Sequence, residues 1–344
     1  VYNSEFGLHG PCAMRSLRKF VPEDKLWPLN DVWEHHIQDN PYNTIPETFV
    51  QVQEKCASIL FHKPESAAEF VKVAGTFHAE ILREELEHHR RRMFVNAGAL
   101  VWMLNDCWPC ASWSIIDYYG LPKQVYYYLK RACAPVLPSF RRTKAGVELY
   151  AISDLRESVP ASLRVEWQTV DGEVRTLARR KIALTAQTSA MVLKVAAKDL
   201  PKTPGYLYAN VQYGRDETAT TYFPDLWKKI RWPEPGLRMH VGRRVRKEGD
   251  FSALVTLTTE RYARCVNLST AEDIHAYFSD NFFDMVPGQS KCVEVRSADP
   301  FDPLALRLNH WLTTWDDAKS NTATGPCGEE PPKTAKRRRA TATT

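Results

Sequence analysis

The period of the hydrophobic pattern changes once, near residue 134, and that switch divides what the chain can fold into. Upstream, short apolar runs alternate with helical text. Residues 1–6 read as the end of a strand, and an irregular stretch rich in Pro, Trp and His covers 10–42. Two helix starts are signalled by Thr44-Ile45-Pro46-Glu47 and Ser66-Ala67-Ala68-Glu69, in which a hydroxyl satisfies a free backbone N–H and the Glu reaches back. Phe49, Val52, Cys56 and Ile59 follow the first at helical spacing, and Phe70, Ala74, Phe77 and Ile81 the second. The charged continuation over 84–92 is expected to face solvent. The unbroken apolar run 98–104 suits a strand buried on both faces, as in a parallel sheet. Gly120-Leu121-Pro122 then restarts a helix through Arg131. Strand–helix–strand–helix text predicts an α/β unit over 1–133.

Downstream the period is two. Val147, Leu149 and Ala151 alternate with Glu148 and Tyr150, and Leu163, Val165 and Trp167 with Arg164, Glu166 and Gln168. Turn signals at Asp171-Gly172 and Pro204-Gly205 separate such runs, which predicts an antiparallel β-sandwich over 134–230. Trp232-Pro233-Glu234-Pro235-Gly236 is a stiff linker. A second all-β unit follows over 237–315, with 254–258 and 292–295 as its clearest strands.

Charge narrows the function classes. Of the net +5, residues 318–344 hold +4, including Lys336-Arg337-Arg338-Arg339, so the body is nearly neutral. This excludes a basic nucleic-acid face. Residues 316–344 read as a disordered basic tail, in which that run is a candidate localisation signal or simply a solvated end. The longest apolar run, 97–104, falls far short of the ~20 residues of a membrane-spanning helix. The text opens on Val1 with no initiator Met, charged n-region or apolar h-region. It is therefore read as a fragment whose compartment is open.

Several motifs imitate chemistry. Cys107-Trp108-Pro109-Cys110 resembles a redox pair, but such a pair needs a helix N-terminus to activate the first thiol. The other six Cys show no zinc spacing. His35-His36 and His88-His89 read as surface residues, and Asn267-Leu268-Ser269 is a lone glycosylation sequon.

The informative cluster lies at the strand ends. Glu5 falls where the first strand stops. Asn105 and Asp106 directly follow the second, with Trp102 inside it and Trp108 beyond. Parallel α/β architectures place active sites at the carboxyl ends of their strands. A carboxylate beside Trp there suits glycosidase chemistry: a nucleophile for the anomeric carbon and a platform for the sugar's apolar face. Read from residues alone, Glu5 equally suits an ion pair with a neighbouring arginine, and Trp102 core packing.

Longer text sharpens this. Asn3-Ser4-Glu5-Phe6-Gly7 resembles the nucleophile strand of family 2 glycoside hydrolases. Residues 100–109, Leu-Val-Trp-Met-Leu-Asn-Asp-Cys-Trp-Pro, and 112–120, Ser-Trp-Ser-Ile-Ile-Asp-Tyr-Tyr-Gly, resemble the last barrel strand of the family's β-mannosidase branch. Tyr126-Tyr127 and Ala134-Pro135-Val136-Leu137 continue the match. Phe278-Ser279-Asp280-Asn281-Phe282-Phe283-Asp284 with Pro287-Gly288 is similar to the terminal immunoglobulin-like domain of the same enzymes.

The resemblance implies the C-terminal remnant of a (β/α)8 TIM barrel over 1–133, holding its last two β/α units, followed by two immunoglobulin-like sandwiches. It implies a retaining exo-glycosidase removing terminal β-D-mannose from an oligosaccharide or a glycoprotein-derived glycan, with no cofactor and neither nucleic acid nor membrane as partner. Glu5 matches the nucleophile, Trp102 the sugar-stacking residue, and Asn105 and Asp106 the pocket lining. The family's acid/base Glu precedes its nucleophile, and no residue here matches it. The partner expected is therefore the missing N-terminal part of the same enzyme, without which the chain is inactive. His9-Gly10-Pro11-Cys12 stand where the family commonly has Gln, Ser and Pro, and Met103 replaces a commonly polar residue. Another family 2 exo-β-glycosidase, acting on galactosides, glucuronides or glucosaminides, is the alternative enzyme. A non-catalytic carbohydrate-binding fragment is the alternative from another class.

Overall fold

A computed structural model of the chain describes residues 1–37, 47–271 and 274–315. Thr44, Cys327 and the 336–339 basic run lie outside the described residues. Strand β1 (Asn3–Phe6) pairs in parallel with β2 (Ala99–Val101). Parallel partners need a long crossover. Here it runs through α1 (Met14–Leu17), α2 (Asp31–His35), α3 (Phe49–Leu60) and α4 (Ala67–Arg91).

Helix α4 starts at its expected cap, where the Ser66 hydroxyl accepts from Glu69 N, although the Glu69 carboxylate reaches Glu65 N rather than its own cap residue. Helix α3 starts later than Thr44-Glu47 suggests. Thr48 and Gln51 make a complete reciprocal capping box at its N-terminus. Its buried face carries Val50, Gln53 and Ala57, and Ile59 is left exposed.

Helix α5 (Gln124–Ala132) lies on α4, with Val125, Tyr128 and Leu129 packed on Ala79 and Leu82 over Phe6 of β1. Only this side of the two-stranded sheet is covered among the described residues. The 98–104 run is therefore not buried on both faces: Leu100 is 54% exposed and Leu104 60%.

The charged end of α4 also departs from expectation. Glu87 and Arg91 are buried, because Arg91 donates to Ser139 Oγ (2.7 Å) and Phe140 O (3.0 Å) while Ser139 donates to Glu87 (2.5 Å). Arg83 bridges Glu80 (2.7 Å) and Glu87 (2.8 Å) on the same helix. A run that reads as a solvated face is thus a paired network seating the first sandwich, since buried charges persist only when paired.

That sandwich holds β3 (Val136–Thr143), β4 (Gly146–Ser153), β5 (Val159–Gln168), β6 (Val174–Leu184), β7 (Thr188–Ala196), β8 (Tyr206–Tyr213) and β9 (Asp216–Tyr222). The sheet orders are β3-β4-β7 and β6-β5-β8-β9. The alternating residues Val147, Leu149, Leu163 and Val165 meet Ala209 and Val211 in its core.

The second sandwich comprises β10 (Arg238–Val241), β11 (Val245–Lys247), β12 (Asp250–Thr258), β13 (Ala263–Ser269), β14 (Tyr277–Phe278), β15 (Phe283–Met285), β16 (Ser290–Ser297) and β17 (Arg307–Asn309). Its sheets run β10-β12-β16-β14, with β11 also on β12, and β15-β13-β17. Val255, Leu257, Val266, Val293 and Val295 fill the space between them.

The 278–284 motif is a junction. Arg131 of α5 donates to Asp280 Oδ1 (2.5 Å), Asn281 O (2.9 Å) and Phe282 O (2.8 Å). Asn281 bonds both backbone groups of Leu268. Arg264 of β13 reaches Asp284 (2.8 Å) and Glu80 of α4 (3.4 Å), and stacks 2.9 Å over the Trp227 ring. These contacts bind the α/β unit and both sandwiches to one another. The sequon residue Asn267 is buried in β13, its amide donating to Cys265 O.

Candidate active site

The site begins with an irregularity in β1. Asn3 pairs with Ala99 and Phe6 with Val101, so three steps on one strand match two on the other. Asn3 bonds His89 of α4 (3.1 Å) and the Phe6 ring lies 5.9 Å from the same imidazole. Residues three apart on a regular strand point to opposite faces; the register shift turns both toward α4. Ser4 and Glu5 between them are exposed. Glu5 makes no ion pair with a described residue, so the arginine-paired reading is not realised.

Trp102 follows β2. Its backbone N donates to Phe6 O (2.7 Å), the Trp102–Met103 peptide is cis, and the side chain is 50% exposed. Glu5 and Trp102 therefore sit at the carboxyl ends of adjacent parallel strands, both open to solvent. Gly7 makes this crossing possible: a Cβ there would stand 2.1 Å from Trp102 O and 3.2 Å from the Trp113 ring. We expect Gly7→Ala to cost about 1–3 kcal/mol through forced backbone movement. Thermal unfolding of the variant checks this, and an unchanged midpoint contradicts it.

Asn105 is exposed, whereas Asp106 is 3% exposed. Asp106 does not share the surface that carries Glu5 and Trp102. Its carboxylate accepts from Ser114 Oγ (2.6 Å) and lies 3.5 Å from Lys123 Nζ. Lys123 also donates to Gly10 O (3.1 Å) and Ser112 O (3.0 Å). Nearby, Asp117 accepts from Ser16 Oγ (2.6 Å) and from the backbone N of Tyr119 and Leu121 (2.9 Å each). The segments after β1 and β2 are thus locked together beneath the exposed pair. Lys123, Ser114 and Ser16 carry this network, and no spacing rule points to them, because half their partners are backbone carbonyls.

Two histidines complete the support. His9 and His78 are buried, and the His9 ring lies 4.0 Å from that of Trp113. Burial and the Lys123 charge pull His9 down to about 3. Burial, Lys123 and His9 hold His78 well below the usual imidazole range. Both enter the fold neutral, whereas the unfolded chain takes up their protons near pH 6.5. Their stabilisation is complete above pH 6.5 and is lost as pH falls toward the folded values. By pH 5 the loss is about 2 kcal/mol for each. Urea titrations at pH 7 and pH 5 measure it, and His78→Asn is expected to flatten the fall by about half.

The motifs set aside earlier resolve as follows. His36 is not a plain surface residue: it is half-buried, stacks on Trp108 (5.2 Å, 26°) and bonds Pro109 O (2.8 Å). His89 is likewise engaged, with Asn3 and Asn96. Cys107 and Cys110 are free thiols in an irregular loop, and burial with the Asp106 charge pushes the Cys110 thiol up, opposite to redox activation. Among the described residues no group of three or more His, Cys, Asp or Glu is placed to hold a metal ion, and no helix is long and apolar enough to cross a membrane.

The fold is thus a parallel strand pair with an exposed Glu and Trp at its carboxyl end, followed by two β-sandwiches. The comparisons specify it. Residues 145–228 match the model of a mannosidase Ig/CBM-like domain, and residues 233–309 that of an Ig-fold domain of mannosidases. The β-mannosidase B of Aspergillus niger is 24% identical over 317 residues, covering 86% of this chain and 36% of that protein. The β-mannosidase B of Thermothelomyces thermophilus is 30% identical over 227 residues, covering 58% and 26%. The β-D-mannosidase of Dictyoglomus thermophilum superposes with a TM-score of 0.79 at 23% identity, covering 90% of this chain and 37% of its own. The exo-chitosanase of Amycolatopsis orientalis does so at 0.70 and 16%, covering 91% and 42%. At such identities the structural likeness establishes a shared fold. Together the two domain models and these relatives make the chain similar to the C-terminal region of family 2 β-mannosidases, and it spans about a third or less of the length of the curated relatives it matches.

Proposed function

We propose that the chain is the C-terminal part of a retaining exo-β-mannosidase, supplying the nucleophile and the sugar platform of its active site. In this reading residues 1–133 are the last two β/α units of a (β/α)8 barrel. The exposed face bearing Leu100, Trp102 and Leu104 is the barrel interior, which is filled with side chains when the barrel is closed. The observation that carries the reading is the solvent-facing Glu5 beside Trp102 at the strand ends. Glu5 attacks the anomeric carbon and forms a glycosyl ester. A second carboxyl group, about 5–5.5 Å away, protonates the leaving oxygen and then activates water. Trp102 stacks on the apolar face of the mannose, and Asn105 lies beside it at the rim. Asp106 acts from below, with Lys123, by holding the loop that carries both.

The other nearby acids, Asp106 and Asp117, are buried and tied to Ser114 with Lys123 and to Ser16, away from the exposed surface, so neither serves as the acid. The acid/base group therefore comes from the rest of the enzyme, and the 344-residue chain by itself is expected to leave β-mannosides intact. A panel of nitrophenyl glycosides tests both statements. The intact enzyme is expected to prefer the β-mannoside. Preference for the β-glucosaminide would favour the second reading, an exo-glucosaminidase, which the chitosanase likeness supports. Turnover of the mannoside by the chain alone would overturn the division of the site.

A further inference from the structure

Strands β6, β5, β8 and β9 present a groove of about 510 Å³ on the face of the first sandwich turned away from its core. Directly paired residues on neighbouring strands point to the same side, so the register fixes its composition. One row reads Lys181, Ser162, Gln212 and Glu217. The next reads Arg179, Arg164 and Asn210.

Arg164 is preorganised. The buried Glu166 carboxylate lies 3.3 Å from its Nη1, Gln168 Nε2 bonds the other oxygen of Glu166 (2.9 Å), and the Tyr208 ring backs the guanidinium at 5.7 Å. Arg179 and Lys181 are exposed and make no ion pair with a described residue. Arg164 and Arg179 face each other across β5 and β6, where like charges repel, and among the described residues only Arg164 of the three cations has an ion-pair partner, Glu166. A planar guanidinium matches carboxylate, sulfate or phosphate oxygens two at a time, while the amides and hydroxyl of Asn210, Gln212 and Ser162 suit sugar hydroxyls.

We propose that this groove binds an oligosaccharide bearing anionic groups, at a site separate from the catalytic one. Arg164, Arg179 and Lys181 meet the anions, Asn210 and Gln212 the hydroxyls, and Glu217 closes one end. Single-stranded nucleic acid fits less well, because it needs exposed aromatic rings for stacking and Tyr208 is buried beneath Arg164.

The test is thermophoresis of the full chain at nanomolar concentration. The probes are a tetragalacturonate, a heparin-derived tetrasaccharide, mannotetraose, inorganic sulfate and an eight-nucleotide oligothymidylate. At least one anionic tetrasaccharide is expected to bind about tenfold or more tighter than mannotetraose and than sulfate, and to lose at least about tenfold in the Arg179→Ala, Lys181→Ala double variant. Preference between galacturonate and heparin probes identifies carboxylate or sulfate as the anion. The replaced side chains are exposed, and circular dichroism verifies that the variant folds. Equal binding of mannotetraose or sulfate, tighter binding of the oligothymidylate, no binding of either anionic probe, or indifference to the double substitution would each overturn the proposal. The result is independent of whether Glu5 is the nucleophile.

Discussion

In the intact enzyme, Glu5→Ala is expected to lower kcat/KM for β-mannosides by about 10⁴-fold or more, the scale seen when a covalent nucleophile is removed. The structure gives a physical reason for singling out this carboxylate. Glu5 is exposed, unpaired among the described residues, and placed there by a register shift that turns its neighbours Asn3 and Phe6 the other way. A carboxylate kept for stability would be paired, as Asp106, Asp117 and Glu87 are. The variant offers a second readout. Azide can enter the space left by the carboxylate and attack the anomeric carbon of an activated aryl β-mannoside, giving the α-mannosyl azide. Loss without rescue, or formation of the β-azide, would assign Glu5 another role. An effect below about tenfold would remove it from the chemistry altogether.

The second large effect is on stability. Lys123→Met leaves the Asp106 carboxylate buried with the Ser114 hydroxyl donating to it, and takes away the Nζ donor shared by Gly10 O and Ser112 O. Breaking a buried pair from one side costs about 3–5 kcal/mol. The loss is expected to show as faster amide exchange over residues 105–123 and a lower unfolding midpoint. Replacing both members, Lys123→Met with Asp106→Leu, removes the uncompensated charge and is expected to recover most of it. A single-variant loss under about 1 kcal/mol would mean that the pair is not the anchor of this loop.

What could be read from the sequence, and what could not, follows from the range of each interaction. The sandwiches were legible because alternation is local: Leu163 and Val165 face inward for the same reason that Arg164 faces out. The caps were legible for the same reason, although α3 takes its cap from Thr48 rather than from the hydroxyl expected upstream. The end of α4 was misread because its partners are distant in sequence; Ser139 lies 52 residues beyond Glu87. The 98–104 run was expected to be covered on both sides, but periodicity reports what a segment can bury and not what covers it. At the site, the motif text drew attention to Glu5, Trp102, Asn105 and Asp106. It could not say that Asp106 faces inward, since its depth is set by Lys123 and by carbonyls that carry no side-chain signature.

The most direct measurement is mechanism-based labelling. The intact enzyme is incubated with 2-deoxy-2-fluoro-β-D-mannosyl fluoride, whose slowed turnover lets the glycosyl ester accumulate, and is then digested and mapped by mass spectrometry. The label is expected on Glu5, in the tryptic peptide ending at Arg15. A label on any other carboxylate would contradict the assignment of Glu5 as the nucleophile.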